Sequence, residues 1–186
     1  MYAVGAEPTS HRIIWADIDG DERKELVNAP IMGRNAKAPL WEVAVNLIWY
    51  EIPEQPTLAP WEPHIIDDQL TVVHGISVID WDNDGCDDIL VASFEGIHLF
   101  QPQKQAKGVS WTKTKLGVGD QVNREKRGPS EIAAGKIGSE ETITISRGYS
   151  CLICNLLLFL SRQQLEQSKH STPPRNNCYP DILTKG

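Results

Sequence analysis

Along the first 145 residues, apolar positions fall in short runs separated by turns rich in Asp, Gly, Asn and Pro, a pattern that predicts strands. Four strands are expected at His11–Trp15, Glu25–Ala29, Asn46–Glu51 and His64–Asp67. Four more follow at Val72–Ile79, Asp88–Ser93, Ile97–Gln101 and Trp111–Leu116. A third set begins at Gly128–Gly138 and continues in Thr142–Ile145. From residue 146 the pattern changes: the leucine-rich run Cys151–Leu160 and the polar Ser161–Ser171 predict a helix over 150–169, before an unstructured end. An apolar run of about ten residues is too short for a bilayer that needs ~20. Its place in the chain is not that of a signal peptide.

The first two sets are copies of one unit. Asp17-Ile18-Asp19-Gly20-Asp21 and Asp80-Trp81-Asp82-Asn83-Asp84 lie 63 residues apart, and the register pairs Asp17 with Asp80, Asp19 with Asp82, Asp21 with Asp84, Glu25 with Asp88 and His11 with His74. Trp61 and Trp111 stand at the fourth strand of each unit, and a 13-residue excess in the first falls around Gly33–Val45, a loop by composition. Four strands per repeat is the count of a propeller blade. The expected architecture is all-β: a partial β-propeller over residues 1–145, with blades near 9–70 and 71–120 and the start of a third at 128–145. A tail outside the propeller, with its helix, fills 146–186. A propeller needs at least four blades to close, so the expectation is a fragment whose open blade edges favour self-association.

Carboxylates at positions 1, 3, 5 and 9 of a tight loop suit a hard cation, whose oxygen ligands must converge within about 2.5 Å. Candidate ligands are Asp17, Asp19, Asp21 and Glu25 in the first loop, and Asp80, Asp82, Asp84 and Asp88 in the second, for calcium or magnesium. Gly20, Asn83 and Gly85 allow left-handed backbone in the turns, whereas Glu22 stands where the second loop has Gly85. An EF-hand does not fit, because strand-like residues follow each loop. An acidic turn that only solvates a hairpin is the alternative. In the third unit Gly135 replaces an aspartate, so no metal is expected there.

The pattern D-x-D-x-D-G followed by D-[IL]-[LV] resembles the FG-GAP or VCBS-type repeat of β-propellers. The strings His11–Asp17, Glu25–Pro30, Val73–Ile76 and Ala92–Ile97 together resemble the propeller of the aldos-2-ulose dehydratase/isomerase family. That resemblance implies a seven-bladed propeller followed by cupin-type domains, acting as a lyase and isomerase on 1,5-anhydro-D-fructose and glucosone-like uloses. It also implies His74 as general base, histidine being the side chain that titrates near neutrality without perturbation. His11, Arg12 and Glu131 are then substrate-binding candidates near the same channel, and a divalent cation is a candidate for polarising the substrate. The isolated fragment is expected to be inactive. The competing class is a non-catalytic calcium-binding propeller that offers its loops to a protein or glycan.

Charge narrows the partners. With 18 Lys and Arg against 25 Asp and Glu, the net charge is −7 and the basic residues form no face, so neither nucleic acid nor an acidic membrane is an expected partner. The short basic stretch Arg124–Arg127 reads as a solvated loop. Cys151-x-x-Cys154 with His170 and Cys178 lacks a second pair at zinc spacing. Four cysteines do not suggest a secreted disulfide scaffold, which points to the cytoplasm.

Overall fold

The computed structural model describes residues 2–38, 42–118 and 131–135, together with the backbone of 142–147 and 156–161. Strands β1 (Ser10–Ala16), β2 (Glu25–Pro30), β3 (Leu47–Glu51) and β4 (Glu62–Asp67) form one antiparallel sheet in sequence order. Strands β5 (Gly75–Ile79), β6 (Asp88–Ser93), β7 (Gly96–Gln105) and β8 (Gly108–Gly117) form a second of identical topology. These are the two expected blades, with β1 and β5 lying side by side. The longer first unit is explained by the β2–β3 connection, residues 31–46, against the two-residue turn Phe94-Glu95 between β6 and β7.

The central strands carry the apolar density. All of β6 is buried, and in β2 only Leu26 is partly exposed. Side chains alternate across a strand, so each blade has two faces. Blade 1 turns Ile14, Ala16, Val27 and Ala29 toward Ile76, Val78, Ile89 and Val91 of blade 2, with Trp49 and Phe100 in the same cluster. Burying each large side chain there stabilises by about 1.5–3 kcal/mol. The other face of blade 2 (Leu90, Ala92, Leu99) is covered by Ile132 and Ala134 of the third unit. The other face of blade 1 is not covered in this way: Ile13 is 67% exposed, Trp15 49% and Ile65 57%. In the 63-residue register, Ile13 and Trp15 are the counterparts of Ile76 and Val78, which are packed.

Three expectations change. The strand expected to begin at Val72 begins at Gly75, because Val72 has a left-handed φ of 47° that no strand accommodates. The His74 amide still bonds the Ala92 carbonyl at 2.9 Å, so this residue remains tied to the sheet. The hairpin expected as Ile97–Gln101 and Trp111–Leu116 runs much further, Gly96–Gln105 with Gly108–Gly117. Pro102 reads in sequence as a strand end. It is tolerated because β6 pairs with β7 only as far as Phe100, and beyond that point β8 is the only neighbour in the ladder.

The third change concerns the tail. In the part of 150–169 that is described, the expected helix is replaced by a strand: Leu156–Ser161 is β10, paired antiparallel with β9 (Thr142–Arg147). An unbroken apolar run carries no helical period, and a partner rich in β-branched residues (Thr142, Ile143, Thr144, Ile145) favours pairing instead. The remainder of that helix, the basic stretch Arg124–Arg127 and the Cys151/Cys154/His170/Cys178 group lie outside the described residues. Among the described residues no helix is long and apolar enough to cross a membrane.

Candidate cation loops and an inner-strand cluster

Each acidic loop spans the first two strands of its blade, and each is wired alike. The first carboxylate holds the turn: Asp17 accepts from the amides of Gly20 (2.8 Å), Asp21 (3.2 Å) and Glu22 (2.9 Å), and Asp80 from those of Asp84 and Gly85 (both 3.1 Å). The ninth position closes it: Glu25 accepts from Ile18 N–H at 3.0 Å, and Asp88 from Trp81 N–H at 2.9 Å. Positive φ recurs at matched places, Gly20 (70°) with Asn83 (56°) and Glu22 (68°) with Gly85 (90°).

Of the eight candidate ligands the structure brings together six. Asp17, Asp19 and Glu25 offer oxygens within 4.8 Å of one another, and so do Asp80, Asp82 and Asp88. Asp21 and Asp84 are in neither group. Asp21 caps the Arg23 amide at 2.8 Å, and Asp84 the Cys86 amide at 2.9 Å, a turn-forming role that the spacing alone does not distinguish from ligation.

Both triads fit a hard cation. Asp19 Oδ1 is buried and takes no hydrogen bond. Burial pushes Glu25 up to about 7, helped by the charges of Asp19, Asp21 and Asp17 against the lowering bond from Ile18. Burial likewise raises Asp88 well above the usual carboxylate range, against the bonds from Trp81 and Gln101, and raises Asp19. Converging carboxylates that are desolvated in this way are stabilised as anions by a bound ion.

The two loops are also joined to each other. Asp87 of the second accepts from the Asp17 amide at 2.8 Å, returns its own N–H to the Asp17 carbonyl at 2.7 Å, and pairs with Lys24 at 3.2 Å. From the extended β7–β8 hairpin, Lys104 Nζ donates to the Asp19 carbonyl at 3.0 Å and lies 4.0 Å from Asp19 Oδ2. Hairpin and first loop enclose a cavity of about 340 Å³ lined by Asp19, Arg23, Glu25, Trp49, Lys104 and Val109, among others. In the second loop the amide of Gln101 reaches Asp82 at 3.2 Å and Asp88 at 3.4 Å. Asp87, Gln101 and Lys104 were not candidates from sequence. Gln101 was findable as a polar residue ending an apolar strand, whereas Lys104 depended on the hairpin continuing past Pro102.

At the other end of the inner strands a second group assembles. His11 and His74 meet edge to face with ring centroids 6.0 Å apart, and Arg12 pairs with Glu131 at 2.7 Å. All four sequence-predicted residues outside the loops are therefore brought to one place, from three units. Burial lowers the pKa of His74 below the usual 6.5, with His11 and Arg12 adding to the effect and Glu131 opposing it. Gly75 lets the third unit come close: a Cβ there would meet Ile132 N at 3.2 Å and Glu131 Cα at 3.3 Å. The space over Gly75 receives the third unit's backbone.

His11 and Asp17 are six residues apart along β1, as are His74 and Asp80 along β5, which at about 3.3 Å per residue is roughly 20 Å. A cation in either loop is too remote to polarise a substrate held at His74.

Two four-stranded blades with adjacent inner strands and a third unit packed on the second define a protein of the β-propeller class. Residues 1–151 match the family model described as the aldos-2-ulose dehydratase β-propeller domain, and the chain belongs to that family. The family is one of carbohydrate-processing enzymes. A search of curated proteins finds no match to the chain.

Proposed function

We propose that this chain carries part of the sugar-binding and catalytic surface of a hydro-lyase and isomerase of the aldos-2-ulose dehydratase type, acting on 1,5-anhydro-D-fructose or a glucosone-like ulose. The observation that carries this is the convergence of His11, His74 and the Arg12–Glu131 pair from three units at one end of the inner strands. Burial lowers the pKa of His74 from the usual histidine value, which favours the neutral imidazole that can accept a proton. In the reaction the proton next to the substrate carbonyl passes to the His74 imidazole, a carbon–carbon double bond forms, and the β-hydroxyl leaves as water with the proton returned by the imidazolium. Arg12, held by Glu131, and His11 offer hydrogen bonds to the sugar oxygens.

The loops take a separate part. Each FG-GAP-type triad holds a calcium or magnesium ion that ties its turn and leaves the chemistry to the histidines. The competing function, a calcium-stabilised propeller without catalysis, is favoured by the triads alone and does not use the histidine pair.

Imidazole proton resonances of His11 and His74, followed while 1,5-anhydro-D-fructose is added, test the proposal together with absorbance of the unsaturated product. Shifts in both resonances at millimolar sugar, reduced in Arg12→Ala, support it. Where turnover is seen, His74→Gln is expected to lower kcat by about 10²–10⁴. Resonances unshifted at millimolar sugar sink the enzyme reading in favour of the scaffold.

A further inference from the structure

We propose that the cleft between the segment preceding β1 and the face of blade 1 turned away from blade 2 binds a small hydroxyl-bearing molecule, held by Asn28 and Tyr50. The proposal depends neither on the reading of His74 nor on that of the acidic loops.

The repeat shows what is unusual at this face. Ile13, Leu26 and Asn28 are the counterparts of Ile76, Ile89 and Val91, and Tyr50 stands opposite Leu26 as Phe100 stands opposite Ile89. In blade 2 these four positions are apolar and pack in the core shared with blade 1. In blade 1 two of them carry hydrogen-bonding groups, and Val4 and Glu7 lie beside them. Together with Ile13, Leu26, Asn28 and Tyr50 they line a cleft of about 140 Å³. The covering segment is fastened to the loop after β2. Glu7 pairs with Arg34, Thr9 Oγ1 donates to the Met32 carbonyl at 2.6 Å, and the Thr9 carbonyl accepts from Ile31 N–H at 3.0 Å. At Gly5 the backbone comes so near Tyr50 that a Cβ would clash with the ring and its hydroxyl.

The polar groups of the cleft have unused capacity. Ser10 Oγ donates to the Glu7 carbonyl at 3.0 Å, so it accepts from Asn28 Nδ2 at 2.9 Å. That bond orients the amide and leaves Asn28 Oδ1 as a buried acceptor without a hydrogen bond among the described residues, on a residue 4% exposed. An empty buried acceptor is destabilising, so a donor from outside the chain is favoured there. Burial and the Glu7 charge raise the pKa of Tyr50, against the Asn28 amide, so the phenol keeps its proton to donate. A ligand hydroxyl matches both groups, giving its proton to Asn28 Oδ1 and accepting from Tyr50, whereas an ammonium has no lone pair for the phenol. Val4, Ile13 and Leu26 receive the carbon side of the molecule. A cavity of about 150 Å³ accepts benzene, so this one has room for roughly six non-hydrogen atoms, the size of glycerol.

Glycerol titrated into the isotope-labelled 186-residue chain and followed by NMR tests this. Saturable shifts of the Asn28 side-chain amide and of the Gly5 and Leu26 backbone amides are expected, with a Kd on the order of 1–10 mM. Asn28→Val and Tyr50→Phe each give blade 1 the residue type that blade 2 carries, and each is expected to weaken binding about five- to tenfold. Tyr50→Phe, the milder change, serves where Asn28→Val folds poorly. Benzene, of similar size without a hydroxyl, is expected to leave the three resonances in place. Shifts that do not saturate by about 100 mM glycerol mean that water alone fills the cleft, and they overturn the proposal. A Kd unchanged in the folded variants, or saturable shifts with benzene, overturns it as well.

Discussion

The two acidic loops build one backbone from different residues, and the differences place their costs. Both turns need left-handed φ at the fourth and sixth positions. The second loop meets this with Asn83 and Gly85, residues that take it readily, and the first with Gly20 and Glu22. Glu22 holds a conformation that costs a side-chain-bearing residue about 1 kcal/mol, and the three amide bonds to Asp17 hold it there. The ninth position differs as well: Asp88 is 1% exposed and locked by Trp81 and Gln101, whereas Glu25 faces a cavity. Blade 2 is the enclosed unit, packed on both faces, and blade 1 the open one. A repeat read from sequence as two equal copies is thus one tight and one looser copy, and the burial of each copy decides which residues matter.

The largest expected effect is in the enclosed core. Ile89→Ala removes a fully buried side chain between the blades and is expected to cost about 3–4 kcal/mol in urea unfolding. Its contrast, Ile13→Ala on the open face, is expected to cost under about 0.5 kcal/mol. Equal costs would mean that blade 1's open face is covered in solution, by self-association through that face, and light scattering of Trp15→Ser then reads whether the association is lost.

Next comes the ninth loop position. Asp88→Ala leaves the Trp81 amide without its buried acceptor, removes one of the two carboxylates that Gln101 reaches, and is expected to cost about 2–3 kcal/mol. Glu25→Ala, beside its cavity, is expected to cost about half of that. A larger loss in Glu25→Ala would reverse the ranking of the two loops.

Acid is expected to weaken blade 2 through His98. Burial, with Lys113 and Lys115 adding to it, lowers this group to about 4 from 6.5, and its Nδ1 is buried without a hydrogen bond. The folded value lies below the unfolded one, so the contribution is whole above pH 6.5 and is lost as pH falls toward 4, by about 3 kcal/mol. Buried carboxylates with raised values, such as Glu25, shift stability in the opposite sense. The diagnostic is therefore the difference between wild type and His98→Gln across that window. Parallel pH curves would remove His98 from the account.

The smallest effect belongs to Glu22. Replacing it by glycine, as the second loop has at Gly85, is expected to stabilise by about 0.5–1 kcal/mol. A destabilised Glu22→Gly would mean that the side chain contributes more than its backbone strain costs, and the two loops would differ in side-chain chemistry as well as in strain.

Much of this was legible in the chain, and the reasons are local. Carboxylate spacing, the histidine at matched places and the apolar runs act over a few residues, so the repeat, the eight blade strands and the gathering of carboxylates in each loop followed from sequence. The amide caps made by Asp21 and Asp84 did not, because a carboxylate two residues before an amide can cap it or turn away, and only coordinates tell which. The apolar run at Leu156–Leu160 carries no period, so the helix expected there gave way to a strand that its partner decided.

Sequence by itself determined the two blades, their acidic loops and the polar residues at each strand end, since alternation and turn chemistry are short-range. Tertiary structure alone decided that His11, His74 and the Arg12–Glu131 pair meet from three units. It also decided that Lys104 crosses to Asp19 and that the space beside Gly75 is taken by Glu131 and Ile132. These last contacts join residues 56 to 85 positions apart, and such long closures are set by how blades pack on each other, which no local pattern encodes.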